Sequence, residues 1–175
     1  MSEASENHFE ITFSYIEYIS ELEKQKTVQP YFLKQKDFKW YVLATEEDSE
    51  IPFKSYALER IREIEIGKKF KPKKIEFEEP YKNAIGMFTN ETAERIVLQY
   101  DHRDGHYLKA NPIHQSQKMI LEDDKTITFE IFAKPNEDLQ MGLMKRSWSV
   151  KIIEPTSLRE KMLEIWKEVL ERNKV

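Results

Sequence analysis

Short segments rich in aromatic and β-branched residues follow one another closely through the first part of the chain. Their lengths, and the turn-forming residues between them, are typical of β-strands. The predicted strands cover residues 9–19, 27–33, 38–45, 53–58 and 60–66. Lys36-Asp37 is a predicted tight turn, and residues 46–52 form an acidic connection. Strands that follow one another this closely pair as antiparallel neighbours, so the pattern predicts a small β-barrel.

Residues 68–90 break this pattern. They contain Pro72, Pro80 and a run of charged residues, which is typical of a linker. Within this stretch, residues 81–88 have the composition of a short ordered piece. The chain is therefore predicted to have two domains, at residues 8–67 and 91–175, joined by a linker at residues 68–90.

The second half of the chain alternates between strand-like and helix-like spacing. Strands are predicted at residues 95–100, 113–119, 126–133 and 149–153, and helices at residues 103–110, 137–145 and 155–172. The last helix has a broad apolar face, Pro155 in its first turn, and Thr156 and Ser157 as candidate N-caps. The order strand, helix, strand, strand, helix, strand, helix predicts a ferredoxin-like α/β sandwich with a C-terminal helix. The predicted fold class of the whole chain is α+β.

The chain has a formal net charge of -4 and contains no cysteine. The lack of cysteine excludes disulfides and a thiolate nucleophile and fits a reducing compartment. The acidic first residues lack the features of a secretory signal, and no apolar run approaches the roughly 20 residues of a membrane span. We therefore expect a cytoplasmic protein that does not interact with membranes.

Because the net charge is negative, attraction to nucleic acid would have to come from a local concentration of cations. The densest concentration is the lysine run formed by Lys68, Lys69, Lys71, Lys73 and Lys74. A solvated linker explains this run as well, so its role stays open.

Aromatic and cationic residues come together on the third and fourth predicted strands. Trp40 and Tyr41 are adjacent, so their side chains point to opposite faces. We expect Trp40 in the core, whereas Tyr41 either stacks on a ligand ring or makes an ordinary cross-strand contact. By alternation, Lys54, Tyr56 and Arg60 share one face, which predicts a platform for an anion and a ring. Arg60 has an alternative role as the partner of a carboxylate, the candidates being Glu17, Glu59 and Glu63.

Several segments, in order, resemble the signature of the WYL domain. They are Ile11-Thr-Phe-Ser-Tyr15, Lys26-Thr-Val-Gln-Pro-Tyr-Phe-Leu33, Trp40-Tyr41-Val42 and Lys54-Ser-Tyr-Ala-Leu-Glu-Arg-Ile61. Three later segments resemble the WCX extension that accompanies many WYL domains. They are Tyr81-Lys-Asn-Ala-Ile-Gly-Met87, Asn111-Pro-Ile-His-Gln-Ser-Gln117 and Glu154-Pro-Thr-Ser-Leu-Arg159. The resemblance covers nearly the whole chain.

This resemblance implies the ligand-sensing and dimerising region of a bacterial transcription regulator. It implies an Sm-like or SH3-like barrel that binds a single-stranded nucleic acid or nucleotide-like effector, and a homodimer without a cofactor. The resemblance places Tyr15, Tyr41, Lys54 and Arg60 at the family's pocket positions, and together with Lys26 and Tyr56 they are the predicted ligand-binding residues. Lys26 and Lys54 stand where the family usually has Arg, which keeps the charge but loses bidentate contacts with phosphate. The alternative is a purely structural or oligomerisation module with no small ligand.

The family's usual N-terminal winged helix-turn-helix domain has no counterpart before Phe9. On this resemblance, the chain is either a piece of a longer regulator or a stand-alone sensing protein. In both cases we do not expect these residues to read duplex DNA through a recognition helix.

The sequence lacks the motifs of common enzymes. It has no Gly-x-Ser-x-Gly elbow, Gly-rich phosphate loop, Rossmann fingerprint or His-Glu-x-x-His, so we do not expect an enzyme. His102 and His106 lie among carboxylates, but their spacing fits no closed zinc pattern and we do not expect a metal site. His114 is expected to make a structural hydrogen bond.

Overall fold

The computed structural model describes residues 2–18, 21–36, 38–47, 53–76 and 78–174. The chain divides into two compact units, Met1–Phe77 and Glu78–Val175. Each unit contains one antiparallel β-sheet and a few helices. The predicted α+β class is therefore confirmed at this level.

The sheet of the first unit has strands of very unequal length. Its elements are α1 (Ser2–Glu6), β1 (Phe9–Ile16), β2 (Glu23–Lys36), β3 (Lys39–Thr45), β4 (Lys54–Ala57), a 3-10 turn (Leu58–Arg60) and β5 (Ile61–Lys69). The strand order is β4-β3-β2-β1-β5, and every neighbouring pair is antiparallel. Consecutive strands β1 to β4 are thus neighbours, as their close spacing in the sequence predicts.

Alternate residues of β1 form the centre of the first unit's core. Ile11, Phe13 and Tyr15 are buried, because successive side chains of a strand point to opposite faces and these three share one face. The rest of this core comes from Ala4, Val28, Val42, Ala44 and Tyr56.

Two expectations for the first unit are wrong. The fourth strand ends at Ala57 and Leu58–Arg60 forms a 3-10 turn, in which the Ile61 N–H bonds to the Leu58 carbonyl. Strand alternation therefore cannot place Arg60 on the face of Tyr56. Trp40 is also not in the core: it is 47% exposed, because the beginning of β3 extends past the buried cluster, which starts at Val42. The predicted turn residue Asp37, and residues 48–52 of the acidic connection, lie outside the described residues.

The second unit follows the predicted alternation of strands and helices. Its elements are a 3-10 turn (Glu79–Tyr81), β6 (Glu94–Asp101), α2 (His102–Ala110), β7 (Lys118–Glu122), β8 (Thr126–Ala133), α3 (Glu137–Met144), β9 (Lys151–Glu154) and α4 (Thr156–Asn173). The strand order is β7-β8-β6-β9, again with antiparallel neighbours. Its core includes Ile96, Leu98 and Tyr100 of β6 and Ile127, Phe129 and Ile131 of β8.

Side-chain caps define where two of these helices begin. Asp101 accepts a hydrogen bond from the Asp104 N–H at 2.8 Å at the start of α2, and Asn136 accepts one from the Leu139 N–H at 3.0 Å at the start of α3. Such caps satisfy N–H groups that have no partner within the helix. The start of α4 differs from the prediction: Pro155 is its N-cap, and no side chain caps this helix.

The predicted strand at residues 113–119 is wrong. Residues 113–117 form a loop closed by side chains: Gln117 accepts from the Ile113 N–H at 2.9 Å and donates to the Leu108 carbonyl at 2.8 Å. These bonds satisfy the backbone locally, and the strand β7 starts only at Lys118.

Residues 81–88 are tied to the second unit. The Lys134 N–H donates to the Asn83 carbonyl at 2.9 Å, and Asn136 donates to the carbonyls of Ile85 and Phe88 at 2.9 and 2.6 Å. Ile85 also packs against the second core. In the described part of the chain, no helix is both long and apolar enough to cross a membrane.

Candidate functional site

Arg60 contacts two tyrosine rings in the first unit. Its guanidinium carbon is 4.4 Å from the centre of the Tyr15 ring and 4.0 Å from that of Tyr18. Both distances are within the range of cation–π attraction. The Arg60 Nε–H donates to the Ile16 carbonyl at 2.7 Å, at the end of β1. The 3-10 turn Leu58–Arg60 therefore brings Arg60 onto the end of β1 rather than along a strand face.

Tyr15 is the buried ring of this arrangement. Its side chain is buried, and its hydroxyl accepts a hydrogen bond from the Ala57 N–H at 3.3 Å. Its ring meets the Tyr56 ring edge-on, with centroids 5.1 Å apart, and the Phe13 ring at 6.1 Å. Burial raises the pKa of Tyr15, so the hydroxyl stays neutral at physiological pH. Tyr18, the second ring in contact with the guanidinium, is 64% exposed.

Within the residues that the structure describes, the terminal amino groups of Arg60 have no ion-pair partner. Within the described ranges, Arg60 forms no ion pair, so the predicted alternative of a carboxylate partner is not what this part of the chain shows. The nearby carboxylates have other partners: Glu59 binds Lys39 at 2.6 Å, and Glu17 binds Lys24 at 2.7 Å. A guanidinium fork that is already oriented and unpaired can bind an anion through two hydrogen bonds.

A second group of predicted residues surrounds Glu46. The Lys54 ammonium is 2.6 Å from Glu46 Oε2, the Lys26 ammonium is 3.9 Å from Oε1, and the Tyr56 hydroxyl donates to Oε1. Burial raises the pKa of Glu46, but the hydrogen bonds from Lys54 and Tyr56 outweigh this effect, so the net pKa is lowered. Burial and the Glu46 carboxylate together raise the pKa of Tyr56.

An open cleft of about 400 Å³ adjoins this group. Its lining is polar and contains both Lys26 and Glu46. The remaining lining residues are Glu10, Gln25, Thr27, Val28, Gln29 and Glu47.

The structure thus divides the predicted ligand-binding residues into two groups. Tyr15 and Arg60 form one, and Lys26, Lys54 and Tyr56 form the other. The edge-on contact between the rings of Tyr15 and Tyr56 joins them. Tyr41 belongs to neither group: it is half-buried on β3, opposite Lys34 and Ala57, and it contributes to the electrostatic environment of Tyr15 and of Lys39.

Sequence reasoning missed two members of the site, Tyr18 and Glu46. Tyr18 follows Tyr15 by three residues just beyond the end of β1, and this spacing at a strand end was an available signal. Glu46 carried no such signal, because the sequence does not distinguish it from its neighbour Glu47 in the acidic connection.

The lysine run divides between β5 and the segment that follows it. Lys68 and Lys69 belong to β5, and Lys71, Lys73 and Lys74 are exposed beyond it. Lys68 lies 3.8 Å from Glu10, and Lys74 lies 3.9 Å from Glu76. The structure leaves the role of the run open.

The histidines of the second unit lie away from these residues in the sequence. His102, His106 and Glu122 place their possible ligand atoms within 4.8 Å of one another. Lys109 already binds both oxygens of Glu122 at 2.6 Å, which opposes a cation there. The prediction that this cluster holds no metal stays a prediction.

His114 makes the expected local hydrogen bonds, with its Nδ1 at 2.7 Å from the Ser116 hydroxyl, and burial lowers its pKa.

Comparison with protein families identifies a domain in each of the two units. Residues 1–66 match the WYL domain, and residues 92–170 match the WCX domain. The chain belongs to the WYL-domain family. The predicted resemblance is confirmed, and both matches are to domains of regulator proteins. The WYL domain match spans Tyr15 to Arg60 and so includes every predicted ligand-binding residue.

A solved structure supports the fold of this WYL-domain protein. A crystal structure described as a CRISPR Cas-related protein aligns with a TM-score of 0.56 at 16% identity, over 98% of this chain and 49% of that one. Proteasome accessory factor B/C (PafBC) of Arthrobacter aurescens aligns at 17% identity over 99% of this chain and 26% of that one, with a TM-score of 0.38, too low to support an argument. The chain spans about half the length of the first protein and about a quarter of the second. No curated protein matches the chain.

Proposed function

We propose that this chain is the ligand-sensing region of a bacterial transcription regulator in the cytoplasm. In this proposal the WYL domain binds a single-stranded nucleic acid or a nucleotide-like effector, without a cofactor or catalysis. The observation that carries the proposal is the state of Arg60: its guanidinium is fixed by the Ile16 carbonyl and two tyrosine rings, and it has no ion-pair partner in the described part of the chain.

Each predicted residue has a role in this proposal. Arg60 binds a phosphate group through its free amino groups. The exposed ring of Tyr18 stacks on a base, which supplies roughly 1–3 kcal/mol per base. The buried ring of Tyr15 holds Arg60 in place through its cation–π contact. Tyr41 offers its hydroxyl from β3, and Lys26, Lys54 and Tyr56 supply positive charge and a hydrogen-bond donor beside them.

We also propose the finer architecture that the sequence predicts. The strand order β4-β3-β2-β1-β5, with a 3-10 turn between β4 and β5, supports an Sm-like or SH3-like barrel for residues 8–67. The order β7-β8-β6-β9, with α2 and α3 in the connections, supports a ferredoxin-like domain for residues 91–175. Residues 68–90 are then the connecting linker.

The test is a titration of the protein with short single-stranded DNA, RNA and nucleotides at two salt concentrations. Binding is monitored by tryptophan fluorescence. Trp40 is partly exposed on β3 and reports on the first unit. We expect saturable quenching that weakens at higher salt, because phosphate contacts release counterions. Arg60→Ala should weaken binding at least tenfold, and Arg60→Lys should weaken it by an intermediate amount because Lys lacks the fork.

The matched control is Arg62→Ala, which removes the same charge from an exposed position on β5. It should change affinity less than twofold. Arg60→Ala also removes a hydrogen bond and cation–π contacts worth about 1–2 kcal/mol of stability, so binding is measured well below the melting temperature. Equal affinity of Arg60→Ala and the unmodified protein would refute this use of Arg60.

A second candidate function is oligomerisation without a small ligand. It is favoured by the outer surface of α4, where Leu163, Val169 and Leu170 are between 41% and 58% exposed. Beside them an apolar cleft of about 390 Å³ is lined by residues of β9 and by Trp166. A dimer whose melting temperature no nucleotide or oligonucleotide raises would favour this candidate.

A further inference from the structure

Two ammonium groups and a hydroxyl surround the carboxylate of Glu46. They are the ammonium groups of Lys54 and Lys26, at 2.6 and 3.9 Å, and the hydroxyl of Tyr56. The group contains two positive charges for one negative charge. Convergent ammonium and hydroxyl donors of this kind are the usual means by which proteins bind an oxyanion.

Partial burial favours an anion at this position. The side chains of Glu46, Lys26 and Lys54 are 21%, 25% and 33% exposed, and Tyr56 is only 4% exposed. A buried hydroxyl without an acceptor costs about 1–3 kcal/mol, and two partly buried ammonium groups without a counter-ion repel one another. If Glu46 leaves, an anion that takes its place restores these interactions.

Glu46 is placed where it can leave. It follows Thr45, the last residue of β3, and the pairings of β3 with β2 and β4 end before it. Its carboxylate is therefore held by side chains and not by the strand ladder. The cleft of about 400 Å³ opens at the same point, since Lys26 and Glu46 both line it.

We propose that Glu46 is the built-in occupant of an oxyanion site formed by Lys26, Lys54 and Tyr56, and that a phosphate group of the effector binds there by displacing the Glu46 carboxylate. This inference rests on the proposed function, because it names a second phosphate contact beside Arg60 in the same domain. It also explains how Lys26 and Lys54 serve where Arg is usual in the family. Two lysines and a hydroxyl supply the donors that one guanidinium would supply.

Because of the other acidic residues of the cleft, phosphate must replace the Glu46 carboxylate and cannot simply bind beside it. Glu10 and Glu47 also line the cleft. Glu10 is held by Gln29 at 3.1 Å and lies 3.8 Å from Lys68. With Glu46 still in place, these three carboxylates repel a second anion. The displaced carboxylate is thus a built-in competitor that lowers the apparent affinity for the effector.

The test uses inorganic phosphate as the probe and Glu46→Gln as the variant. The amide keeps the shape of the side chain but removes its charge. We expect Glu46→Gln to bind phosphate at least fivefold more tightly than the unmodified protein, measured by the rise in melting temperature with phosphate concentration. The double variant Glu46→Gln/Lys54→Ala should lose this gain.

The matched control is Glu47→Gln, which makes the same change in net charge one residue further along the same cleft. It removes one of the repelling charges but leaves the Glu46 carboxylate on Lys26 and Lys54, so it should raise phosphate affinity less than twofold. Equal effects of Glu46→Gln and Glu47→Gln, or no gain in Glu46→Gln, would overturn the inference.

A measurement on the unmodified protein keeps the test decisive if Glu46→Gln folds poorly. Saturating phosphate should protect Lys26 and Lys54 from reductive methylation, read by mass spectrometry, while the exposed Lys71 is modified as before. Equal modification of Lys26 and Lys54 with and without phosphate would overturn the exchange.

These results separate the inference from the proposed function. Oligonucleotide binding that depends on Arg60 but does not tighten in Glu46→Gln would leave the function standing and refute the exchange at Glu46. A gain in phosphate affinity in a protein that binds no oligonucleotide or nucleotide would support the oxyanion site and refute the proposed effector class.

Discussion

At the scale of single residues, whether the Arg60 guanidinium can bind a ligand depends on the partners of the neighbouring carboxylates. Glu59 lies in the same turn directly before Arg60, but its carboxylate is engaged by Lys39 at 2.6 Å and by the Tyr18 hydroxyl at 3.4 Å. Lys54 is the opposite case, because Glu46 already neutralises it. Two cations on the same short segment of sequence therefore have different chemical states. The sequence predicted Lys54 and Arg60 as ligand contacts. Which of the two cations has a carboxylate partner is set by ion pairs that form only in the folded chain.

Glu46 should give the stability of the protein a measurable dependence on pH. Burial raises its pKa, but the hydrogen bonds from Lys54 and Tyr56 lower it further, to a net value below the 4.5 of an ordinary glutamate. A carboxyl group with a lowered folded pKa stabilises the fold above its unfolded pKa, and this stability is lost as the pH falls through the folded pKa. We expect the melting temperature to fall between about pH 5 and about pH 3, and to fall less in Glu46→Gln.

Glu47→Gln is the control for this experiment, since its curve should run parallel to that of the unmodified protein. Thermal unfolding followed by circular dichroism across this pH range measures all three curves. Parallel curves for Glu46→Gln and the unmodified protein would show that Glu46 does not contribute to acid stability.

At the scale of elements, Gly105 shows how closely α2 packs on β8. A Cβ atom at Gly105 would lie 2.7 Å from the Cβ of Ile127, a distance that side chains do not tolerate. Ile127 is fully buried in the second core. The Asp104-Gly105 pair, a common turn signal in sequence, therefore lies inside a helix, because only glycine allows the helix to approach the sheet this closely.

Gly105→Ala and Gly142→Ala should have opposite effects on stability. Alanine favours a helix over glycine by about 1 kcal/mol, but at Gly105 the contact with Ile127 adds an overpacking cost of about 1–3 kcal/mol. At Gly142 in α3 nothing lies within 4 Å of the added atom. We expect a lower melting temperature for Gly105→Ala and a higher one for Gly142→Ala, measured by calorimetry.

The two glycine variants serve as controls for each other, because both make the same chemical change within a helix. A melting temperature raised by Gly105→Ala would mean that α2 and β8 have room for a methyl group.

At the scale of the whole molecule, the chain has two sheets with separate cores, one in each unit. The first contains the contacting rings of Phe13, Tyr15 and Tyr56, and the second consists mainly of aliphatic residues. The second unit also carries an amphipathic helix whose outer surface keeps several large apolar residues in solvent. Exposed apolar patches of this kind mark interaction surfaces.

We expect a homodimer in solution that uses the outer surface of α4. Leu170, which is 58% exposed, has no role in the described core. Leu170→Glu should therefore convert the dimer to a monomer while leaving the melting temperature of the monomer nearly unchanged. Size-exclusion chromatography with light scattering measures the mass.

Lys167→Glu, at an exposed polar position of the same helix, is the control and should keep the dimer. A monomeric unmodified protein, or a Leu170→Glu variant that stays dimeric, would exclude this surface as the interface.

The sequence by itself determined the elements whose signal is local. The strand at residues 126–133 is predicted to the residue, and helix α4 to within one residue at each end, because alternation and helical spacing are properties of neighbouring residues. The motifs also placed the chain in its family. Predictions failed where the backbone leaves a regular element: at the 3-10 turn before Ile61, and in the loop at residues 113–117 that Gln117 closes.

The tertiary structure alone decided how the candidate site is arranged. Arg60, Tyr15 and Tyr18 meet because a 3-10 turn redirects the chain, and Glu46 reaches Lys26 and Lys54 across separate strands. These contacts join residues that are far apart in the sequence, so no local pattern encodes them. Whether a charge is free or neutralised depends on the distance to every other charge and on burial, and both are set only when the chain has folded.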